Sequence, residues 1–146
     1  MKYILLIVIL IMSSCSSNNN SIEKEVINLT NEYLKTWETL DVEKIAAFHS
    51  DENLIYYWHG ELASKSNDHF RQLFTDILSS TREWSIKTSK PVVQVINEHA
   101  AIISFIGEAE STEKNGTKSK ETGASTYVWM KNDGKWKIVH IHESAK

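Results

Sequence analysis

Apolar residues recur at three- and four-residue steps through Ile22, Val26, Leu29, Tyr33, Trp37 and Leu40, which predicts one face of a long amphipathic helix. Asp41 is a good N-cap for a short second helix carrying Val42, Ile45, Ala46 and Phe48. Residues 54–58 are apolar and aromatic and read as a strand. Residues 66–68 can open a third helix, in which Phe70, Leu73, Phe74, Ile77 and Leu78 fall at i, i+3, i+4, i+7 and i+8. From Arg82 the period changes to two: Trp84 and Ile86 alternate with Glu83, Ser85 and Lys87. Pro91 punctuates. Strands follow over residues 92–96 and 100–109, the second apolar on both parities and so expected at the centre of a sheet, buried on both faces. Residues 113–120 form a charged loop. Two more strands, 122–131 and 135–144, are joined across Asn132-Asp133-Gly134, a strong hairpin signal. Three helices followed by a run of antiparallel strands predict an α+β domain, with the helices packed on one face of a curved sheet.

The N-terminus has a different pattern. Met1-Lys2 is followed by ten apolar or aromatic residues, 3–12. At about 1.5 Å per residue they reach half way across a bilayer, so they read as a signal-peptide core and not as a membrane span. Small residues then precede a cysteine in Ser13-Ser14-Cys15, which resembles a bacterial lipobox. The expectation is a lipoprotein signal peptide over residues 1–14, cleaved before a lipidated Cys15. Residues 15–21 would be a flexible tether and residues 22–146 the folded domain. The chain would be anchored in the lipid bilayer of a bacterial cell envelope, at the outer membrane or its periplasmic face. Cys15 is the chain's one cysteine, at the position the lipid needs.

Composition narrows the class. Of 146 residues, 41% are hydrophobic and 24% charged, which argues against disorder. A net charge of −3 weighs against nucleic-acid binding. A single cysteine excludes an internal disulfide and a Cys-rich zinc site.

Candidate chemistry gathers on the last strand. Strict alternation places Trp136, Ile138, His140 and His142 on one face. A two-residue turn at Asp133-Gly134 would pair Trp129 with Ile138 and Tyr127 with His140, stacking all four on one side. A three-residue turn would pair Thr126 with His140 and turn Tyr127 and Trp129 away. The first register is expected. His140 is then a candidate general acid or base, with Tyr127 as its hydrogen-bonding companion. His140 and His142 supply only two of the three protein ligands that catalytic zinc usually takes, so no metal and no cofactor is expected. The chain holds five tryptophans and five tyrosines, which serve either as core and interface packing or as walls of a pocket for a flat or apolar ligand. His59-Gly60-Glu61 ends the first strand at a possible pocket mouth. There is no Gly-rich phosphate loop, nucleophile elbow or HExxH.

Residues 126–142, TYVWMKNDGKWKIVHIH, together with VINEHAAII at 95–103 and DHFR at 68–71, resemble the association domain of calcium/calmodulin-dependent protein kinase II. The wider group is the nuclear-transport-factor-2-like superfamily, with SnoaL-like polyketide cyclases and ketosteroid isomerases. The resemblance implies a cone, a bent antiparallel sheet wrapped on three N-terminal helices around an internal pocket, often in a homodimer. It also implies that arginines lining the kinase pocket are matched here by Gly107, Tyr127 and Glu143, and a third-helix histidine by Phe70. A basic cup has become aromatic, with one acid near its mouth. The expected ligand-binding set is Tyr57, Trp58, Phe70, Gly107, Tyr127, Trp129, His140 and His142. Three functions follow: a binder of a small, largely apolar molecule; an isomerase, cyclase or dehydratase using His140 and Tyr127; or a homo-oligomerisation module with a vestigial pocket.

Overall fold

The computed structural model describes the backbone of residues 2–145 and the side chains of residues 19–144 apart from residue 90. The side chains of the expected signal peptide, of Cys15 and of the first tether residues lie outside those described. Helix α1 (Lys2–Thr36) buries Ile22, Val26 and Tyr33, and a 3-10 turn at Trp37–Thr39 extends the same face with Trp37. Asn19, Asn20 and Ser21, expected in the tether, are helical and exposed, because a helix nucleated by its packed face propagates outward without further burial. Leu40, with φ +54°, turns the chain out of this helix. In α2 (Val42–Ala46), Asp41 accepts from the backbone N–H groups of Glu43 and Lys44 at 3.1 and 3.2 Å. In α3 (Asn67–Ser80), Ser66 caps the N–H of His69 at 3.1 Å. Both caps fall where the sequence predicts them.

The sheet has six strands in the order β2-β1-β6-β5-β4-β3. They are β1 (Ile55–Trp58), β2 (Glu61–Ser64), β3 (Thr81–Asn97), β4 (Ala100–Glu113), β5 (Lys118–Asn132) and β6 (Lys135–Ala145). Several features differ from expectation, among them β2, which the sequence pattern does not predict. The sheet is mixed, since β1 runs parallel to β6, with α3 carrying the chain from β2 at one edge to β3 at the other. Pro91 does not end a strand: β3 is an edge strand, where a missing N–H is tolerated, and its pairing with β4 simply shifts between Ser89 and Val92. Strand β4 buries one face only, through Ala101, Ile103 and Phe105, while Ile106 on the other face is exposed.

The closing hairpin sets the interior. Its turn is the expected two-residue one, with Asn132 opposite Lys135 and Trp129 opposite Ile138. The next pair is Val128 with His140, so Val139 is an extra residue in β6, a β-bulge. The cause lies on the other side of the strand. Ile138 bonds to the segment after α2, through Ser50 N–H to Ile138 O at 2.8 Å and Ile138 N–H to Phe48 O at 2.9 Å. From His140 onward β6 pairs with β1 instead. The strand changes neighbours at Val139, and alternation resets there. Ile141 and Glu143 point inward; His140 and His142 point out.

Beneath the sheet lies a closed polar cluster. His49 is fully buried, with Nε2 3.2 Å from the Tyr33 hydroxyl and Nδ1 3.2 Å from Asn67 Oδ1. Asn67 Nδ2 donates to Ala46 O and Asp51 Oδ1, so its oxygen faces the ring and the imidazole proton sits on Nδ1. Burial lowers the His49 pKa to about 3 and keeps the ring neutral. The unfolded chain then takes up a proton below about pH 6.5 that the folded chain refuses. Stability should fall by up to about 1.4 kcal/mol per pH unit below about pH 6.5. Denaturant titrations of wild type and His49→Gln should differ in this limb, with the variant's acid slope the shallower.

Candidate functional site

The inward face of the sheet is not filled everywhere. Between it and the helices lies a cavity of about 80 Å³, walled by Trp37, Trp58, Trp84, Phe105 and Tyr127. The space opens where β4 pairs Gly107 with Gly123, two inward positions without side chains. A Cβ on Gly107 would meet the Phe105 ring at 3.6 Å, an ordinary contact, so this glycine supplies room and not an unusual backbone. Glu121, half-buried on β5, stands at the rim and lies 3.6 Å from His59 across the mouth.

Glu143 is the polar centre. Its two carboxyl oxygens each accept a phenol: Tyr56 Oη donates to Oε2 and Tyr127 Oη to Oε1, both at 2.7 Å. Burial pushes the Glu143 pKa up, although the two phenol bonds oppose it. Burial and the neighbouring Glu143 charge hold both phenols well above their usual range, so they remain proton donors. Trp84 Nε1, in the same wall, is a buried donor without a partner.

Three of the residues expected to bind a ligand, Trp58, Gly107 and Tyr127, line this cavity. The others do not. Phe70 is wholly buried below it, stacked on Phe74 at 4.5 Å and edge-on to His49 at 4.4 Å. Trp129 is core, donating from Nε1 to Thr30 Oγ1 at 3.1 Å. Tyr57, His140 and His142 stand together on the outer sheet face, the Tyr57 ring 5.9 Å from each imidazole. The pairing of His140 with Tyr127 is therefore corrected: the bulge at Val139 puts them on opposite faces, and the acid that meets Tyr127 is Glu143. Desolvation, then the nearby His142, lowers the His140 pKa. Among the described residues, no cluster of three or more His, Cys, Asp or Glu is placed to hold a metal.

Tyr56 and Trp84, among the aromatics read either as packing or as pocket walls, line the cavity, whereas Trp37 and Phe105 were not singled out as walls. The alternation of Trp84 with Ile86, and of Phe105 with Gly107, was a usable signal, since each pair shares an inward face. For Glu143 two signals disagreed: strict alternation turns it outward, whereas the family resemblance, which matched it to a pocket arginine, put an acid near the mouth, and the cavity lining includes it.

The fold is that of the nuclear-transport-factor-2-like superfamily: a Salmonella enterica member matches with TM-score 0.76 at 20% identity, over 87% of this chain and 92% of that one. A dehydrochlorinase acting on hexachlorocyclohexane shares it. Within that class, residues 22–146 match the calcium/calmodulin dependent protein kinase II association domain, and the chain belongs to that family. The association domain of the Caenorhabditis elegans kinase superposes with TM-score 0.68 at 19% identity, over 86% of this chain and 96% of that one. A Drosophila melanogaster kinase type II alpha chain is 36% identical over 55 residues, 38% of this chain and 10% of the relative. The chain thus spans about a tenth of the length of the curated relatives it first matches.

Because the folded state holds the Glu143 proton more tightly than the unfolded chain does, this group's favourable contribution is complete below about pH 4.5. It is lost as pH rises through the folded value. Glu143→Gln, which has no proton to lose, should gain on wild type as the pH is raised. Paired denaturation curves between about pH 4 and pH 8 should show a stability gap moving in favour of the variant, by at most about 1.4 kcal/mol per pH unit.

Proposed function

We propose that this chain is a bacterial lipoprotein whose association-domain fold binds a small, largely apolar molecule in the aromatic cavity. The observation that carries this reading is a hollow left between paired glycines, walled by indole, phenyl and phenol rings around one buried carboxyl. Wells of this kind give ligands apolar area and one or two orienting polar groups. At about 80 Å³ it accepts a small body or the end of a longer one, since drug-sized pockets run from about 300 Å³ upward.

Self-association fits the family. The outer sheet face carries Ile55, Leu62, Ile106 and Met130 exposed, which suits a homodimer meeting face to face.

The ligand reading is tested by thermal shift of the full chain across a library of small apolar compounds. A ligand at about a hundred times its Kd should add about 2.7 kcal/mol. Gly107→Ile, a β-branched side chain suited to a strand and aimed into the hollow, should fold and lose that response. A response unchanged in Gly107→Ile would place the ligand elsewhere, and no response to any compound would end the reading.

The anchor is tested separately. Wild type expressed in bacteria should take up labelled palmitate and sediment with membranes, as two or more acyl chains give stable attachment. Cys15→Ser should do neither.

A second reading rests on Glu143 itself. A carboxyl whose pKa is raised by burial, held between two phenols, is suited to proton transfer, as in an isomerase or dehydratase. On any substrate found, Glu143→Gln should abolish turnover and His140→Ala should leave it intact.

A further inference from the structure

The charged residues that line the cavity have one sign, and His59, paired with Glu121 at 3.6 Å, stands outside the lining at the mouth. Its two carboxyl-bearing residues, Glu143 and Glu121, are its only charged ones, and no lysine, arginine or histidine lines it among the described residues. The carboxyl of Glu143 is fixed in place by two phenols, which are neutral donors and leave its charge uncompensated when it ionises. The walls add to this field. Indole, phenol and phenyl faces carry the negative end of the ring quadrupole, and indole attracts cations most strongly. Trp37, Trp58 and Trp84 all contribute to the wall. A buried acid without a cationic partner, in an aromatic box, is an unfavourable arrangement for an anion and a demanding one for a neutral molecule. It suits a positive charge with little hydration.

We propose that the cavity receives the cationic head of a small organic amine, a quaternary or protonated ammonium, seated between the Glu143 carboxylate and the tryptophan faces. This rests on the ligand-binding reading and names the class of ligand. The size agrees: about 80 Å³ is below the roughly 150 Å³ that takes up a benzene ring in an engineered cavity, and it fits a head of a few heavy atoms. Glu121 at the rim draws the same charge inward. Trp84 Nε1, buried without a partner, is a donor available to an oxygen carried on the same molecule.

The test compares three probes of one shape on the full chain in detergent, by calorimetry and tryptophan fluorescence. Choline has a trimethylammonium head, 3,3-dimethylbutan-1-ol replaces its nitrogen by carbon, and 3,3-dimethylbutyrate carries an anion. Choline should bind roughly tenfold or more tighter than the alcohol, and the butyrate weakest. Glu143→Gln should cut choline affinity by about tenfold or more while leaving the alcohol little changed. Should the variant fail to fold, the three-probe ranking on wild type decides alone. Equal affinities, or an alcohol or butyrate that binds best, overturn the cation and leave the apolar-ligand reading standing. Binding by none of the three, together with no response in the apolar library, overturns both.

Discussion

Strand β6 has to serve two neighbours in succession, and the interior of the domain depends on how it does so. Up to Ile138 it bonds to the segment leaving α2; from His140 it bonds to β1. The two partners meet it out of step, and the one surplus residue, Val139, absorbs the difference. A side-chain period of two makes any such insertion a reversal of faces. Ile141 therefore enters the core behind Ile138, two histidines are expelled to the outer surface, and an acid is carried inside. Tyr56 and Tyr127 reach that acid from strands on either side of β6, which is why its two oxygens are held symmetrically.

Two buried polar clusters share Tyr33 as a near neighbour, and they are built differently. Around His49 the neutral imidazole, the Tyr33 hydroxyl and the Asn67 amide satisfy one another and the backbone. Such a cluster ties α1, α2 and α3 together and asks for nothing from outside. Around Glu143 the hydrogen bonds are shorter, 2.7 Å against 3.2 Å at the imidazole, but the cluster borders a void and an indole donor with no partner. Completeness in one and incompleteness in the other separate scaffold from site more clearly than burial does, since both are buried.

Much of the scaffold was legible from the chain. The helix caps at Asp41 and Ser66, the periodic face of α3 and the turn at Asp133-Gly134 are local features, and local chemistry decides them. The family likeness in the closing hairpin supplied the architecture. What failed was whatever depended on distant partners. β2 was invisible because its residues, Glu61 to Ser64, gain a strand only by pairing with β1. Pro91 was read as a break because its tolerance comes from being at an edge. His140 was placed inside because the alternation was correct as far as Ile138, and nothing in the eleven residues of β6 announces that Val139 is surplus. Trp58, Gly107 and Tyr127 do lie on the cavity; the family resemblance had matched the last two to pocket positions.

The same edge that tolerates Pro91 has a wider effect. One border of the sheet is four residues long, and the other, β3, lacks an amide hydrogen at residue 91 and slips register beside it. Neither offers an unbroken ladder for a neighbouring copy to extend. Growth edge to edge, ribbon-like into fibrils, is thereby discouraged by the two borders themselves.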